Sequence, residues 1–198
     1  APSGKSARVF HVHVPKAAGS TLDVLFRQNG YEVRLFGPLD PPWNLTLKAD
    51  ERTLFSGHYR LNHPVFRIFS LPHVRMSVLR EPVDRMISLY NFTLRREMAP
   101  WHTDITRGEM SFIDFTANMV REFGQQYTYF DSTGDGAVVA PIGTSTRQDC
   151  LRNLLEEISF FGLSQHFDEL VIMTGHLLGL RSLLVESHNV TRDIPVVS

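Results

Sequence analysis

A nine-residue stretch near the N-terminus, HVPKAAGST at residues 13–21, carries the residue types that bind an anion. Lys16 supplies a positive charge, and the hydroxyls of Ser20 and Thr21 supply hydrogen-bond donors. Small residues between them let backbone N–H groups approach a ligand closely, and a helix N-terminus directs further N–H groups at it. The pattern therefore predicts an anion site, with a tight strand-to-helix turn that binds nothing as the alternative. Its candidate residues are Lys16, Ala17, Ala18, Gly19, Ser20 and Thr21.

The position of the lysine differs from that in the usual nucleotide-binding loop. In G-x-x-x-x-G-K-[ST] the lysine directly follows the last glycine, whereas Lys16 precedes Gly19 by three residues. A kinase-like phosphotransferase also needs an acidic residue at a strand end to hold magnesium. The segments SVLRE and SFFGLSQ place Arg80 and Ser164 at such ends instead. A kinase-like enzyme is therefore an alternative, which magnesium dependence would test.

A second candidate anion-binding segment follows the apolar run HVRMSVL. Arg80 ends that run, and Ser88 comes eight residues later, on an expected helix. A guanidinium binds a phosphate group through two parallel hydrogen bonds, and a serine adds a neutral donor. The alternative for Arg80 is a buried pair with a carboxylate. Arg85 and Asp84, on the same helix, are interpreted as a surface pair.

A histidine follows a third apolar run, TLFSG. We assign His58 there as a candidate general base, because the pKa of histidine lies near neutral pH. The alternative is a structural histidine whose ring nitrogens are satisfied within the fold. His63 is the second candidate base, and we expect His13 to shape the site rather than to react.

No metal site is expected from the sequence. Cys150 is the single cysteine, and no His or Asp spacing typical of a metal site is present. His11 and His13 lie two residues apart on an expected strand and would face the same way, so a metal pair there is the disfavoured alternative.

Alternating apolar runs and helical patterns predict the fold class. We expect strands at 7–14, 31–36, 53–57, 73–79 and 158–163, and helices at 21–29, 82–98, 111–123, 146–157 and 166–178. This alternation predicts an α/β domain over residues 1–198, with a central parallel sheet of about five strands flanked by helices. Ligands bind such sheets at the carboxyl ends of the strands, where all three candidate segments are expected to converge.

Composition narrows the partners and the compartment. The net charge of −1 gives no bulk electrostatic case for nucleic acid, although residues 52–80 contain arginines and histidines and no acidic residue. A lone cysteine argues for a reducing compartment and hence a cytoplasmic protein. No apolar run has the length of a membrane helix. The alternative is a Golgi-lumen domain whose anchor has been removed, for which the sequons at Asn44, Asn91 and Asn189 are weak support.

Together these segments resemble a known family. HVPKAAGST resembles the 5′-phosphosulfate loop of sulfotransferases, and SVLREPVDRMISLYNF resembles their 3′-phosphate signature, with Arg80 and Ser88 at the family's spacing. SGHYRL and the C-terminal FFGLSQHFDELVIMTGHLLGL extend the likeness to carbohydrate sulfotransferases of the heparan sulfate 2-O type and their bacterial members. The resemblance is strongest at 9–22 and 76–92. Ala17 replaces the family's usual threonine, and 99–150 matches poorly.

The resemblance implies a P-loop-like fold and a reaction. A sulfuryl group would move in line from 3′-phosphoadenosine-5′-phosphosulfate (PAPS) to an acceptor hydroxyl, expected on a saccharide, without a metal. His58 would act as base and Lys16 would stabilise the leaving oxygen. Arg80 and Ser88 would bind the 3′-phosphate, and residues 17–21 the 5′-phosphosulfate. Sugar rings could stack on Tyr59, Trp43 or Trp101, with core or loop packing as the favoured alternative for each, and a lipid or small-alcohol acceptor is left open. A nucleotide-binding module without activity is a further alternative, and the oligomeric state is left open.

Overall fold

Five parallel strands form the centre of the molecule. The computed structural model describes residues 8–36, 52–67, 73–133 and 145–184. The strands are β1 (Arg8–Val12), β2 (Glu32–Phe36), β3 (Thr53–Gly57), β4 (His73–Leu79) and β5 (Phe160–Leu163). They lie side by side in the order β2-β3-β1-β4-β5, and every neighbouring pair is parallel. The expected α/β fold with a parallel sheet of about five strands is confirmed.

Among the described residues, α-helices follow β1, β4 and β5. They are α1 (Gly19–Gln28), α2 (Pro82–Leu94), α3 (His102–Thr106), α4 (Phe112–Phe123), α5 (Arg147–Glu157) and α6 (Phe167–Leu178). Short 3-10 helices cover Pro64–Arg67, Gln126–Phe130 and Ser164–His166. In the described ranges, no helix combines the length and the apolar character needed to cross a membrane.

Several helix ends differ from those expected. α1 begins at Gly19, two residues earlier than predicted, because Ala18 adopts a left-handed conformation that turns the chain into the helix. α2 ends at Leu94 rather than near 98, and the separate short helix α3 follows Trp101, which is also left-handed. α4 begins one residue later than expected because Ser111 caps it: the Ser111 hydroxyl accepts a hydrogen bond from the backbone N–H of Asp114.

The central position of β1 determines where the candidate segments meet. Val9, Phe10 and Val12 are fully buried, as expected for a parallel strand covered on both faces. β3 and β4 flank β1, so the connections that follow these three strands lie next to one another at the carboxyl edge of the sheet. The predicted convergence of the three segments follows from this strand order.

One of the three glycosylation sequons is buried, and the other two lie outside the described residues, as does one candidate sugar-stacking tryptophan. Asn91 is only 4% exposed on α2, which makes its sequon a poor acceptor for a glycan in this fold. Trp43, Asn44 and Asn189 lie outside the described residues.

Candidate functional site

The loop between β1 and α1 has a backbone suited to an anion. Lys16 (φ 66°) and Ala18 (φ 68°) both adopt the left-handed conformation, and Ala17 lies between them. Backbones of this kind turn successive N–H groups toward a common point. Ala18 precedes the first residue of α1 and has no side-chain oxygen to cap the helix. The N–H groups at the start of α1 therefore point at the place where the sequence predicts an anion, except that of Thr21, which donates to the Ala18 carbonyl.

The ammonium group of Lys16 lies among other cations. Its Nζ is 4.6 Å from the centroid of the Phe92 ring, a cation–π contact. Partial burial lowers the pKa of Lys16, and the positive charges of Arg80, Arg95 and Arg96 lower that pKa further. This surplus of positive charge gives the loop an electropositive environment that a bound anion would relieve.

Arg80 is held beside the loop through its backbone. The side chain of Gln126 brackets it: Nε2 donates to the Arg80 carbonyl at 2.7 Å, and Oε1 accepts from the Arg80 N–H at 3.2 Å. The guanidinium Nη1 donates to the carbonyl oxygen of Lys16 at 3.3 Å. Within the described part of the chain, no carboxylate forms an ion pair with Arg80. The carboxylate pair that was the alternative for Arg80 is thus not found among the described residues, and its anion-binding role stays a prediction.

Arg85 is not the surface residue that the sequence suggests. Its side chain is buried, with 3% exposed, and its Nε donates to the Pro15 carbonyl at 3.1 Å. Asp84 instead donates its backbone N–H to the Glu81 carboxylate, which caps α2. The surface-pair interpretation is wrong because Arg85 is turned toward the loop, which it ties to α2.

Ser88 lies on the same side of α2 as two residues that contact the loop. It follows Arg85 by three residues and precedes Phe92 by four, and residues at these separations are neighbours on a helix surface. Arg85 reaches Pro15, and Phe92 reaches Lys16. Ser88 is half-buried between them, so the helix turns it toward the loop.

His58 directly follows β3 at the same edge. Its ring lies 4.7 Å from the ring of His13 in an edge-to-face arrangement. Burial lowers the pKa of His58 below its ordinary value of 6.5, and the positive charge of Arg85 lowers it further. The imidazole is therefore neutral at neutral pH, which is the state that a general base requires.

Packing contacts are made by His63, the second candidate base, and by Tyr59 and Trp101, two of the three candidate sugar-stacking residues. His63 is buried, and its Nδ1 accepts from the backbone N–H of Val65 at 3.1 Å. Tyr59 is fully buried and donates its hydroxyl to the Phe55 carbonyl at 2.7 Å, so it offers no face to a sugar. Trp101 packs edge-on against Phe115, with ring centroids 5.9 Å apart.

Sequence reasoning missed four residues of this site. Phe92 is 42% exposed beside Lys16, and the guanidinium of Arg96 lies 5.7 Å from its ring centroid. The seven-residue spacing of Phe92 from Arg85 was a usable signal, since residues at three-, four- and seven-residue intervals share a helix face. Nothing in the sequence indicated that Gln126 would bracket Arg80. The missed residues are Phe92, Arg95, Arg96 and Gln126.

Two further features bear on ligands. Within the described ranges, no group of three or more His, Cys, Asp or Glu side chains is arranged to hold a metal ion. A cavity of about 390 Å³ lies between α2, α4 and α5, and its lining is mostly apolar. Arg85 and Gln126 both line this cavity. Arg85 also contacts the loop between β1 and α1, and Gln126 also contacts Arg80, so the cavity adjoins the site.

The fold is that of an α/β protein in which the candidate anion-binding loop follows the central strand of a parallel sheet. The same fold occurs in the mouse sulfotransferase SULT7A1, whose crystal structure is a complex with PAP. The TM-score is 0.52 and the identity is 13%, over 89% of this chain and 60% of the mouse chain. This chain thus spans about 60% of that sulfotransferase. No family model matches the sequence, and no curated protein matches it.

Proposed function

We propose that this chain is a sulfotransferase that moves a sulfuryl group from PAPS to an acceptor hydroxyl. The observation that carries the proposal is the meeting of Lys16, Arg80 and a neutral His58 beside an uncapped helix N-terminus. The fold shared with a PAP-bound sulfotransferase supports it. One domain carries the activity, because the site draws on three connections of a single sheet.

The donor nucleotide occupies the electropositive loop in this proposal. The backbone and hydroxyls of residues 17–21 hold the 5′-phosphosulfate, where first-turn N–H groups and Lys16 offer donors and positive charge. Arg80 and Ser88 hold the 3′-phosphate. Bracketing by Gln126 fixes the backbone of Arg80, which limits the ordering cost on binding.

The transfer needs positioning and charge stabilisation more than covalent chemistry, as in phosphoryl transfer. His58 takes the proton of the acceptor hydroxyl as that oxygen forms its bond to sulfur. The bond from sulfur to the bridging phosphate oxygen breaks, and PAP leaves with the negative charge. Lys16 stabilises that charge, a role whose loss typically costs about 10²- to 10³-fold in rate.

We propose a saccharide as the acceptor. Phe92 is 42% exposed beside Lys16, and amphipathic sugar rings pack on exposed aromatic side chains. The guanidinium of Arg96 lies over the same ring and offers hydrogen-bond donors beside it.

Calorimetric titration with PAP, and with ATP in the presence and absence of magnesium, tests the proposal. We expect PAP to bind without a metal and Arg80→Ala to weaken that binding about 10- to 100-fold, through loss of charged hydrogen bonds. Arg121→Ala is the matched control, because Arg121 is exposed on α4 and, among the described residues, pairs with its helix neighbours Glu122 and Asn118.

Each result of the titration has a defined meaning. A preference for ATP with magnesium would overturn the sulfotransferase proposal in favour of a kinase-like phosphotransferase. Tight PAP binding without turnover of PAPS against a panel of saccharides, other alcohols and water would indicate a nucleotide-binding module without activity.

A further inference from the structure

A polar cluster lies buried in the molecule behind His58. His11 on β1 is fully buried, Ser56 on β3 is 1% exposed and Asp23 on α1 is 6% exposed. Burying polar groups is costly unless they are hydrogen-bonded, and none of these three is needed to bind an anion at the loop. Because these buried polar residues lie beneath the candidate site, we infer that they contribute to its function.

The three residues are joined by hydrogen bonds. His11 and Ser56 are direct neighbours in the β1–β3 register, and His11 Nδ1 lies 2.9 Å from Ser56 Oγ. Burial raises the pKa of Asp23, and the hydroxyl of Ser56 opposes that rise as a hydrogen-bonding neighbour; Asp23 Oδ1, which lies 4.0 Å from His11 Nδ1, has no hydrogen-bond partner among the described residues. A hydroxyl has one proton to donate. If that proton goes to the carboxylate, the oxygen accepts from Nδ1–H and selects one neutral tautomer of His11.

A column of three imidazole rings begins at His11. The ring of His11 stacks on that of His13 with centroids 5.0 Å apart and an interplanar angle of 16°. The ring of His13 then meets that of His58 at 4.7 Å and 74°. Through these ring contacts, the orientation of His11 constrains that of His13, which in turn constrains that of His58, the candidate base.

His13 is also confined from the side of the anion loop. A Cβ atom placed on Gly19 would lie 2.1 Å from Nε2 of His13, so the imidazole fills the space that a larger residue at position 19 would take. The middle ring of the column therefore packs against the first residue of α1. Two neighbouring rings and one backbone surround it.

We propose that Asp23, Ser56 and His11 are positioning residues that fix the ring orientation of His13 and, through it, of His58. The role of His58 as base rests on the proposed function, whereas the column itself does not. The three residues contact neither the acceptor nor the donor; they limit the rotamers open to the base so that its lone pair is held at the carboxyl edge of the sheet.

Ser56→Ala is the decisive variant, with Ser77→Ala as its matched control. Both serines are buried on strands that flank β1, but the hydroxyl of Ser77 donates to the Val12 carbonyl at 2.8 Å. Nitrogen-15 NMR of the imidazoles reports tautomer and environment. We expect Ser56→Ala to change the His11 tautomer ratio and to shift the ring signals of His13 and His58. Ser77→Ala should leave all three near their wild-type positions.

A second pair of variants guards against loss of the fold. Asp23→Asn keeps the size of the side chain, and we expect it to shift the same imidazole signals less than Ser56→Ala does. Ser56→Thr keeps the hydroxyl, so its imidazole signals should lie near those of wild type. Unchanged His58 signals in folded Ser56→Ala and Asp23→Asn would overturn the proposal. Equal shifts in Ser77→Ala would do the same.

Two further measurements separate this inference from the proposed function. PAP affinity, by calorimetry, should differ less than about threefold between wild type and Ser56→Ala. The slow transfer of the sulfuryl group of PAPS to water should fall about tenfold in kcat with little change in KM. A wild-type chain that fails to bind PAP would refute the proposed function, yet the imidazole spectra would still decide whether the column exists. Binding and turnover that are both unaffected by Ser56→Ala would refute the positioning role.

Discussion

The chemistry of the site depends on a balance of charge at single residues. Lys16, Arg80, Arg95 and Arg96 repel one another, and partial burial removes water that would otherwise screen Lys16. Binding of an anion reverses this penalty. Arg85 also acts at this scale: it ties the loop to α2 and lowers the pKa of His58 by its charge. One buried guanidinium thus affects both the anion loop and the candidate base.

The pH dependence of turnover tests this role of Arg85. A base works when neutral, so activity should rise with pH through the pKa of His58, which lies below 6.5, and should be complete at pH 7. Arg85→Met removes the neighbouring positive charge, so the pKa of His58 rises and the acidic limb moves to higher pH. Arg85→Lys keeps the charge and should stay closer to wild type. NMR titration of the His58 ring measures the shift directly, and an unmoved or lowered pKa in Arg85→Met would contradict the argument.

The loop between β1 and α1 shows what an element adds to its residues. Left-handed backbone costs an ordinary L-residue about 1–2 kcal/mol, and Lys16 and Ala18 both adopt it. The surrounding contacts maintain these conformations: the N–H groups of Thr21 and Leu22 both donate to the Ala18 carbonyl. The strain is consistent with a loop shaped for a ligand rather than for stability.

Glycine scanning of this loop separates strain from packing. Ala18→Gly relieves the left-handed strain but adds freedom to the unfolded chain, so we expect a net gain of about 0.5–1 kcal/mol in the free energy of unfolding. PAP affinity should fall a few-fold because the loop becomes less ordered before binding. Ala17→Gly is the control, since Ala17 is fully buried and is not left-handed; it should destabilise by about 1 kcal/mol. Urea denaturation and calorimetry measure both effects, and destabilisation by Ala18→Gly would count against strain.

At the element scale, the strands and helices α4, α5 and α6 were readable from sequence, whereas the start of α1 and the end of α2 were not. The runs at 53–57 and 73–79 match β3 and β4, because buried parallel strands are continuous apolar segments. The start of α1 was misplaced because an alanine in left-handed conformation goes against its own preference. No rule based on local propensity predicts that exception, which the packing around the loop imposes.

At the scale of the whole molecule, the site depends on strand order. Connections after β3, β1 and β4 are neighbours only because the sheet runs β2-β3-β1-β4-β5. The alternation of strands and helices was enough to predict that Lys16, His58 and Arg80 would share one edge. It could not predict that Gln126, 46 residues from Arg80, would hold that arginine, because such a contact depends on how a distant segment packs.

Stability of the whole chain should fall in mild acid because of His11. Burial, first, and the charge of His58 lower the pKa of His11 from 6.5 to about 3. Below pH 6.5 the unfolded chain gains a proton at this residue that the folded chain does not, so the free energy of unfolding decreases as pH falls toward 3. Each unit of pKa difference is worth about 1.4 kcal/mol.

Urea denaturation at pH 7 and pH 5 measures this loss. His11→Phe removes the titrating group and should lose less stability between the two pH values than wild type does. His166→Phe is the control, because His166 is exposed on the surface beside Glu169. Equal losses in wild type and His11→Phe would show that other groups cause the acid sensitivity.

The contact between Gly19 and His13 also bears on how this chain can diverge. Because the imidazole occupies the volume of a would-be Cβ at position 19, the two positions cannot vary independently. Gly19→Ala alone forces the ring aside, whereas a smaller residue at 13 makes room for it. In a library randomised at both positions, the folded variants should therefore carry either glycine at position 19 with a large residue at position 13, or alanine at position 19 with a small residue at position 13. The residue types at positions 13 and 19 would then be correlated among the folded variants, and this correlation would reveal the contact from sequences alone.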